Sequence, residues 1–167
     1  FLSGMCKAYS MSDDLDDLCT EITTRMIELI PKKVVPRPGA PELLTFLYGR
    51  GIPCAIASSS PLSIIDATVA AQGWGYYFIT HVSGDDVTHG KPAPDIYLEA
   101  AKRLGMAPAD CLALEDSPTG AKAAVAANMI CYAVPDLSHT TVARFAQVTP
   151  HVYPSLHDVL ATLDGCY

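Results

Sequence analysis

The feature that most restricts the fold of this chain is a regular alternation of short apolar runs with helical segments. The runs cover residues 53–57, 76–83, 111–115 and 130–134, and each is followed by a segment with helical spacing. They are apolar throughout rather than at every second residue, which is typical of strands covered on both faces. Because strands that alternate with helices form parallel sheets, the sequence predicts a three-layer α/β fold with a parallel sheet in the middle.

Prolines and glycines mark the ends of the predicted helices. Pro61 stands in the first turn of one helix, and Gly73 and Gly105 follow the ends of two others. Ser60 and Ser117 each precede a proline and are predicted to cap the helices that follow them. The predicted helices are residues 39–49, 61–72, 94–104 and 118–127, with two shorter ones near 138–146 and 155–163.

The first part of the chain has a different pattern. Between Ser12 and Ile30 apolar residues recur at steps of three and four, which predicts one apolar helix face: Leu15, Leu18, Cys19, Ile22, Met26, Leu29 and Ile30. Acids at positions 13, 14, 16 and 17 fall in the first turns, where the helix dipole favours negative charge. The proline-rich residues 31–41 then predict a connection or hinge.

Composition excludes several functional classes. The net charge of -7, with scattered lysines and arginines, disfavours nucleic acid as a partner. No apolar run approaches the roughly 18 residues of a membrane span, and the first residues lack a signal-peptide pattern, so a cytoplasmic protein is expected. The six cysteines show no Cys-x-x-Cys spacing, which favours free buried thiols over disulfides or a zinc site.

Polar side chains follow the predicted strands where ligands of parallel sheets usually bind. Ser58 and Ser59 end one strand, Glu115 and Asp116 end another, and Lys91 precedes a helix that begins at the same sheet edge. Hydroxyl, backbone N–H and ammonium groups can hold a phosphate, while carboxylates can hold Mg²⁺. On these residues alone, the acids are equally explained as a capped turn between strand and helix.

Three segments carry a resemblance to a known family. The segments "AIASSSP", "HGKPAPDIYLEAAKRLG" and "CLALEDSPTGAKAAVAANM" resemble the second, third and fourth motifs of the haloacid dehalogenase-like (HAD) hydrolases. The branch with phosphoglycolate phosphatase and β-phosphoglucomutase is the most similar, and the resemblance covers roughly residues 36–164. It implies a Rossmann-like core and a Mg²⁺-dependent phosphatase or sugar phosphomutase that acts on a small phosphorylated metabolite through an aspartyl-phosphate.

The resemblance also implies a role for each matching residue. Ser58 would bind the transferred phosphoryl group through its hydroxyl, assisted by the backbone N–H of Ser59. Lys91 would neutralise that phosphoryl group and tie it to the nucleophile. Asp116 would coordinate Mg²⁺, and Glu115 would be a further ligand or a partner of the ligands.

The chain departs from the family pattern at the nucleophile. The family carries its nucleophile in an Asp-x-Asp-Gly-Thr/Ser stretch after the first strand, and none of the 167 residues form such a stretch. The acids of "SDDLDDL" are rejected as nucleophile because no strand precedes them and no Gly-Thr follows. This chain alone is therefore expected to bind Mg²⁺ weakly and to turn over essentially no substrate.

The family resemblance also implies a domain organisation. Residues 1–35 would be part of a helical cap, and residues 36–167 a core without its first, central strand, which belongs between the strands ending at Ser58 and Glu115. Three explanations for the missing strand remain open. The chain is a fragment of a longer protein, or a partner or a second copy supplies the strand, or the chain is a truncated product whose two strands pair directly or leave a gap. A bare gap is the least plausible, since it leaves backbone groups unpaired.

Two other functions remain as alternatives. One is a catalytically inactive phosphate-binding or vestigial module, which the missing nucleophile favours. The other is a receiver domain, which also sets a hydroxyl, a lysine and carboxylates around Mg²⁺. The chain order of hydroxyl, lysine and acid pair disfavours the receiver domain. The particular substrate cannot be read from these residues.

Overall fold

A computed structural model describes residues 15–138 and 140–165, in which helices and short strands alternate as predicted. The helices are α1 (Leu15–Lys33), α2 (Ala40–Gly49), α3 (Leu62–Gln72), α4 (Asp95–Leu104), α5 (Pro118–Ala126), α6 (Val142–Ala146) and α7 (Leu156–Asp164). The strands are β1 (Ala55–Ser58), β2 (Thr80–Ser83), β3 (Leu112–Glu115) and β4 (Ile130–Ala133). The predicted strand at 76–83 is shorter than expected, because its first residues form a 3₁₀ turn over Gly75–Tyr77.

The two predicted serine caps have different outcomes. Ser117 caps α5, since its hydroxyl accepts a hydrogen bond of 3.0 Å from the backbone N–H of Gly120. The prediction for Ser60 is wrong, because Pro61 is extended and stands between Ser60 and the first turn of α3. The backbone of Ser60 instead donates to Ser58 Oγ at 3.2 Å and accepts from Ser83 Oγ at 2.9 Å. Ser60 therefore braces the carboxyl ends of β1 and β2.

The strands form two separate parallel pairs. β1 pairs with β2 from Ala55 opposite Thr80, and β3 pairs with β4 from Leu112 opposite Ile130. The predicted parallel pairing is confirmed. Within residues 15–138 and 140–165, no strand ladder joins β1 to β3. Among the described residues, β1 and β3 therefore leave a gap where the central strand is expected. A bare gap was expected to be the least plausible arrangement.

An apolar cavity of about 560 Å³ lies between the two strand pairs. We call it the inter-sheet slot. Its walls include the strands on two sides and helices α2 and α4, with Ala57, Leu114, Leu43, Leu47, Ala100 and Leu104 among the lining residues. Leu112 and Leu114 of β3 are 37% and 38% exposed there, a high value for a strand flanked by helices.

The core lies around the two strand pairs, and α1 packs against α3. Val82, Ile96, Phe145 and Val159 are almost completely buried in this core. In α1 the predicted helix is confirmed but its apolar face is only partly covered, since Ile30 is buried while Ile22, Met26 and Leu29 are exposed. The helix also continues through Pro31, past its predicted end. The division into residues 1–35 and 36–167 stays a prediction.

Four cysteines within the described residues are free thiols: Cys19, Cys54, Cys111 and Cys131. Cys131 is buried as predicted and Cys54 and Cys111 are half-buried, whereas Cys19 is exposed on α1. Cys6 and Cys166 lie outside the described residues. None of the helices in the described ranges is long and apolar enough to cross a membrane.

The free thiols should differ strongly in reactivity. Burial raises the pKa of the Cys131 thiol to about 11, whereas Cys19 is exposed on α1. Since the thiolate is the reactive species, alkylation of Cys131 at pH 8 should be on the order of 100-fold slower than that of Cys19. Peptide mapping by mass spectrometry after timed iodoacetamide treatment measures both rates. Equal rates in the folded protein would contradict the burial of Cys131.

Candidate active site

The structure brings together all five predicted site residues. Ser58, Ser59, Lys91, Glu115 and Asp116 line a cavity of about 370 Å³ at the carboxyl ends of β1 and β3. β1 ends at Ser58 and is followed by Ser59, and β3 ends at Glu115 and is followed by Asp116. Lys91 comes from the connection before α4. The rule that ligand sites lie beyond the carboxyl ends of parallel strands thus located the cavity.

A buried ion pair lies at the centre of this cavity. Lys91 Nζ is 2.6 Å from Glu115 Oε1, and the two side chains are only 13% and 6% exposed. The same ammonium donates a hydrogen bond of 3.1 Å to the backbone oxygen of Ala57 in β1. Lys91 therefore bridges the ends of the two strand pairs. A charge in this position is weakly screened, because little water reaches it.

The Glu115 carboxylate is held by neighbours on both of its oxygens. The Tyr97 hydroxyl donates to Oε1, and the Ser117 hydroxyl donates to Oε2 at 3.1 Å. Burial, and then the adjacent Glu115 charge, raise the pKa of Tyr97 well above its usual range, so its hydroxyl remains a donor. Glu115 is consequently a fixed buried anion whose main effect is to hold and orient Lys91.

Asp116 has the opposite environment. Its side chain is 62% exposed, and its nearest cation is the Arg37 guanidinium at 4.0 Å. Arg37 is itself anchored at the end of β4, where it donates to the backbone oxygens of Val134 and Pro135 at 3.0 and 3.3 Å. A surface pair at 4.0 Å holds the carboxylate only weakly. Of the two acids, Asp116 is the one open to a ligand.

The two serines form the wall opposite the acids. Ser58 Oγ accepts the backbone N–H of Ser60 at 3.2 Å, which fixes its position and leaves its own proton free to be donated. Gly84 packs closely behind this turn, since a Cβ atom there would lie 3.0 Å from the backbone oxygen of Ser59. The serine turn is therefore firmly positioned, and its hydroxyl and N–H groups can donate to an anion.

Sequence reasoning missed three side chains of this site. Tyr97 and Arg37 were not selected, and Ser117 was assigned only as a helix cap. The one available signal for Tyr97 was a tyrosine in the first turn of α4, six residues after Lys91 and on an otherwise apolar helix face. The contact of Arg37 depends on how the hinge packs against β4, which no local pattern indicates.

Gly120 lies directly beneath the Glu115 carboxylate, so Gly120→Ala should disturb the ion pair. A Cβ atom there would lie only 2.0 Å from Glu115 Oε2, so the carboxylate would have to leave its hydrogen-bond partners. We expect a loss of about 1–3 kcal/mol in the free energy of unfolding, measured by urea denaturation.

Gly49→Ala is the matched control. Gly49 ends α2, and a Cβ atom at this position would meet nothing within 4 Å. Alanine should therefore be neutral or stabilise by up to about 1 kcal/mol. Equal unfolding midpoints for the two variants would contradict the close approach of Gly120 to Glu115.

The donor set fits Mg²⁺ only as part of a larger shell. Within the described residues, no group of three or more histidine, cysteine or acidic side chains could hold a metal ion. Mg²⁺ commonly takes one or two carboxylates and completes its shell with water and substrate phosphates. Asp116 meets that requirement, whereas the oxygens of Glu115 are already engaged. Of the described cavity residues, Asp116 is therefore the carboxylate that could serve as a ligand for Mg²⁺.

The fold is that of a parallel α/β protein, and hydroxyl, ammonium and carboxylate groups line a cavity at the carboxyl ends of its strands. A sequence model of the haloacid dehalogenase-like hydrolases matches residues 8–128. The chain therefore belongs to the haloacid dehalogenase-like hydrolase family, as the three motifs indicated.

Individual relatives support the same assignment. The bifunctional riboflavin kinase/FMN phosphatase of Arabidopsis thaliana is 41% identical over 78% of this chain and 32% of its own length. The fructose-1-phosphate phosphatase YqaB of Escherichia coli is 36% identical over 70% of this chain and 62% of its own length. The chain thus spans less than two thirds of either relative.

A solved structure shares the fold. CbbY from Rhodobacter sphaeroides in complex with xylulose-1,5-bisphosphate superposes with a TM-score of 0.78 and 28% identity. The superposition covers 87% of this chain and 65% of CbbY. The predicted HAD-like α/β fold is confirmed.

Proposed function

We propose that this chain is the phosphate-binding part of a phosphohydrolase that acts on a small phosphorylated metabolite. The observation that carries the proposal is the buried Lys91 ammonium, which lies beside Ser58 and Ser59 in one cavity at the strand ends. The names of the relatives add support, since they denote phosphatases of FMN and of fructose 1-phosphate. Those two substrates differ greatly outside the phosphate, so the shared chemistry is that of the phosphoryl group.

Each site residue has a role in this proposal. The Ser58 hydroxyl and the Ser59 N–H donate to the oxygens of the phosphoryl group, and the Lys91 ammonium offsets its charge. Glu115 keeps Lys91 in place through their ion pair of 2.6 Å. Mg²⁺, held in part by Asp116, would further neutralise the phosphoryl oxygens when it is bound. Together these groups stabilise charge that develops during phosphoryl transfer.

We assign no nucleophile within these 167 residues. The family resemblance implies an aspartate in an Asp-x-Asp-Gly-Thr/Ser stretch, which these residues do not contain. We infer that the chain by itself binds phosphate together with Mg²⁺ but does not turn over phosphomonoesters. In a protein that includes the nucleophile, the site would act as a Mg²⁺-dependent phosphatase or sugar phosphomutase.

Phosphate binding is tested with the Ser58→Ala variant. Calorimetric titration with inorganic phosphate, in the presence of Mg²⁺, should show binding to the parent protein and at least about tenfold weaker binding to the variant, because one charge-assisted hydrogen bond is lost. Ser63→Ala is the control, since Ser63 is exposed on α3 and does not line the cavity. Equal affinities for all three proteins would contradict the phosphate site.

A catalytically inactive phosphate-binding module is the second candidate, and the missing nucleophile stretch favours it. Expression from the native locus with all upstream in-frame sequence separates the two candidates. A longer product with Mg²⁺-dependent phosphatase activity would support the hydrolase. Phosphate binding without activity in whatever product is made would support the binding module.

A further inference from the structure

Tyr97 contacts both members of the buried ion pair, although it does not line the cavity of the candidate active site. Its hydroxyl donates to Glu115 Oε1, and the Lys91 ammonium lies 3.4 Å from the same hydroxyl. The ammonium also lies 4.9 Å from the centre of the Tyr97 ring. Tyr97 is only 6% exposed and lines the inter-sheet slot instead of the cavity. Any effect of Tyr97 on an anion in the cavity therefore passes through the ion pair.

The Lys91 ammonium has three N–H donors, and among the described residues it has three oxygen acceptors. Glu115 Oε1 lies 2.6 Å from Nζ, and the Ala57 backbone oxygen lies 3.1 Å from it. The Tyr97 oxygen lies at 3.4 Å, and a neutral phenol oxygen is a weaker acceptor than a carboxylate. The N–H group shared with Tyr97 is therefore the one that a phosphoryl oxygen can take over at the least cost.

Tyr97 and Lys91 donate to the same oxygen of Glu115. A hydrogen bond to a carboxylate stabilises part of its negative charge, so the Tyr97 donor reduces the attraction that Oε1 exerts on the ammonium. Burial, and then the Glu115 charge, raise the pKa of Tyr97 well above its usual range, so the phenol stays protonated. The hydroxyl is thus a permanent donor to the ion pair.

We propose that Tyr97 is a positioning residue that keeps the Lys91 ammonium available to a phosphoryl group. Its hydroxyl proton satisfies part of the Glu115 charge, and its oxygen accepts the third N–H group of Lys91 until an anion replaces it. This inference rests on the proposed function, because it concerns the phosphate that Lys91 is proposed to bind. It adds a residue that acts on the bound anion without touching it.

Removal of the Tyr97 hydroxyl has two opposite effects on phosphate binding, and their sizes decide the sign. Loss of the donor leaves Glu115 more strongly paired with Lys91, which weakens phosphate binding. Loss of the acceptor frees one N–H group of Lys91, which favours it. The first effect involves a charge-assisted bond, roughly twice as strong as a neutral one. The second involves a contact of 3.4 Å, longer than the usual limit of about 3.2 Å, so the loss of the donor dominates.

Tyr97→Phe tests the proposal, because it removes the hydroxyl and keeps the ring against Lys91. In calorimetric titration with inorganic phosphate and Mg²⁺, we expect binding about three- to tenfold weaker than in the parent protein. Tyr77→Phe is the matched control, since it removes a hydroxyl that is hydrogen-bonded to Thr45 at 3.0 Å and lies away from the cavity lining. Unchanged affinity in Tyr97→Phe, or an equal loss in Tyr77→Phe, would overturn the proposal.

A double-mutant cycle separates positioning from packing. In the Glu115→Gln background the charge that Tyr97 offsets is absent, so Tyr97→Phe should change phosphate affinity by less than about twofold. A loss of the same size in both backgrounds would overturn the proposal, because the hydroxyl would then act without the Glu115 charge.

Replacement of Tyr97 by 3-fluorotyrosine gives a test that does not require Glu115→Gln to fold. A more acidic phenol is a stronger hydrogen-bond donor to a carboxylate, so phosphate should bind about as tightly as in the parent protein or up to about twofold more tightly. Binding as weak as in Tyr97→Phe would contradict a role for the donor.

The same titrations separate this proposal from the proposed function. If the parent protein bound no phosphate, both proposals would be overturned. If the parent protein bound phosphate and Tyr97→Phe bound it equally well, only the role of Tyr97 would be overturned.

Discussion

Replacing Lys91 with methionine is expected to lower the free energy of unfolding by about 3–5 kcal/mol. The Glu115 side chain is only 6% exposed and lies 2.6 Å from the ammonium that the substitution removes. A buried carboxylate left without its cation keeps its desolvation cost and loses the attraction that offset it. The Tyr97 and Ser117 hydroxyls remain as donors but carry no charge.

Urea denaturation of three variants measures this effect. Lys91→Met alone should be severely destabilised, while the double variant Lys91→Met/Glu115→Gln should recover much of the loss, because neither charge is then buried. Lys102→Met is the matched control, since Lys102 pairs with Glu99 at 3.1 Å but is 78% exposed. Its cost should stay below about 1 kcal/mol. Equal losses for Lys91→Met and Lys102→Met would contradict a buried pair.

The order and type of the elements were predictable because they depend on local pattern. Continuous apolar runs and proline or glycine at the helix ends gave the strands and helices, and parallel pairing followed from their alternation. The prediction that Ser60 caps α3 was wrong by one residue, because the extended Pro61 separates Ser60 from the helix. The exposed face of α1 also escaped prediction, because periodicity predicts a face but not what covers it.

The candidate site was predictable only as far as strand ends determine it. Position relative to a strand end or a helix start was enough to select Ser58, Lys91 and the two acids as candidates. The structure places them in one cavity. The engagement of both Glu115 oxygens, which distinguishes it from Asp116, depends on α4, which packs against β1 and β2, and on α5, which packs against β3. Adjacent acids in the sequence thus have different environments, and this difference is visible only in three dimensions.

The exposed acid of this pair should control metal affinity. Asp116→Asn removes the negative charge but keeps the size of the side chain, so Mg²⁺ affinity, measured by calorimetric titration, should fall at least about tenfold. Stability should change by no more than about 0.5 kcal/mol, because the side chain is 62% exposed. Asp164→Asn is the control, since Asp164 is 66% exposed and also pairs with an arginine, Arg50. Unchanged affinity in Asp116→Asn would remove this residue from the metal site.

Arg37 should affect Mg²⁺ affinity in the opposite direction to Asp116. Its guanidinium lies 4.0 Å from the Asp116 carboxylate, where it competes with a divalent cation for the same negative charge. At that separation an attraction screened by water amounts to about 1 kcal/mol, or roughly fivefold in an equilibrium constant. Arg37→Met should therefore tighten Mg²⁺ binding by up to about fivefold, while Asp116→Asn weakens it. If both variants weakened binding, Arg37 would act by holding Asp116 in position rather than by competing with the metal ion.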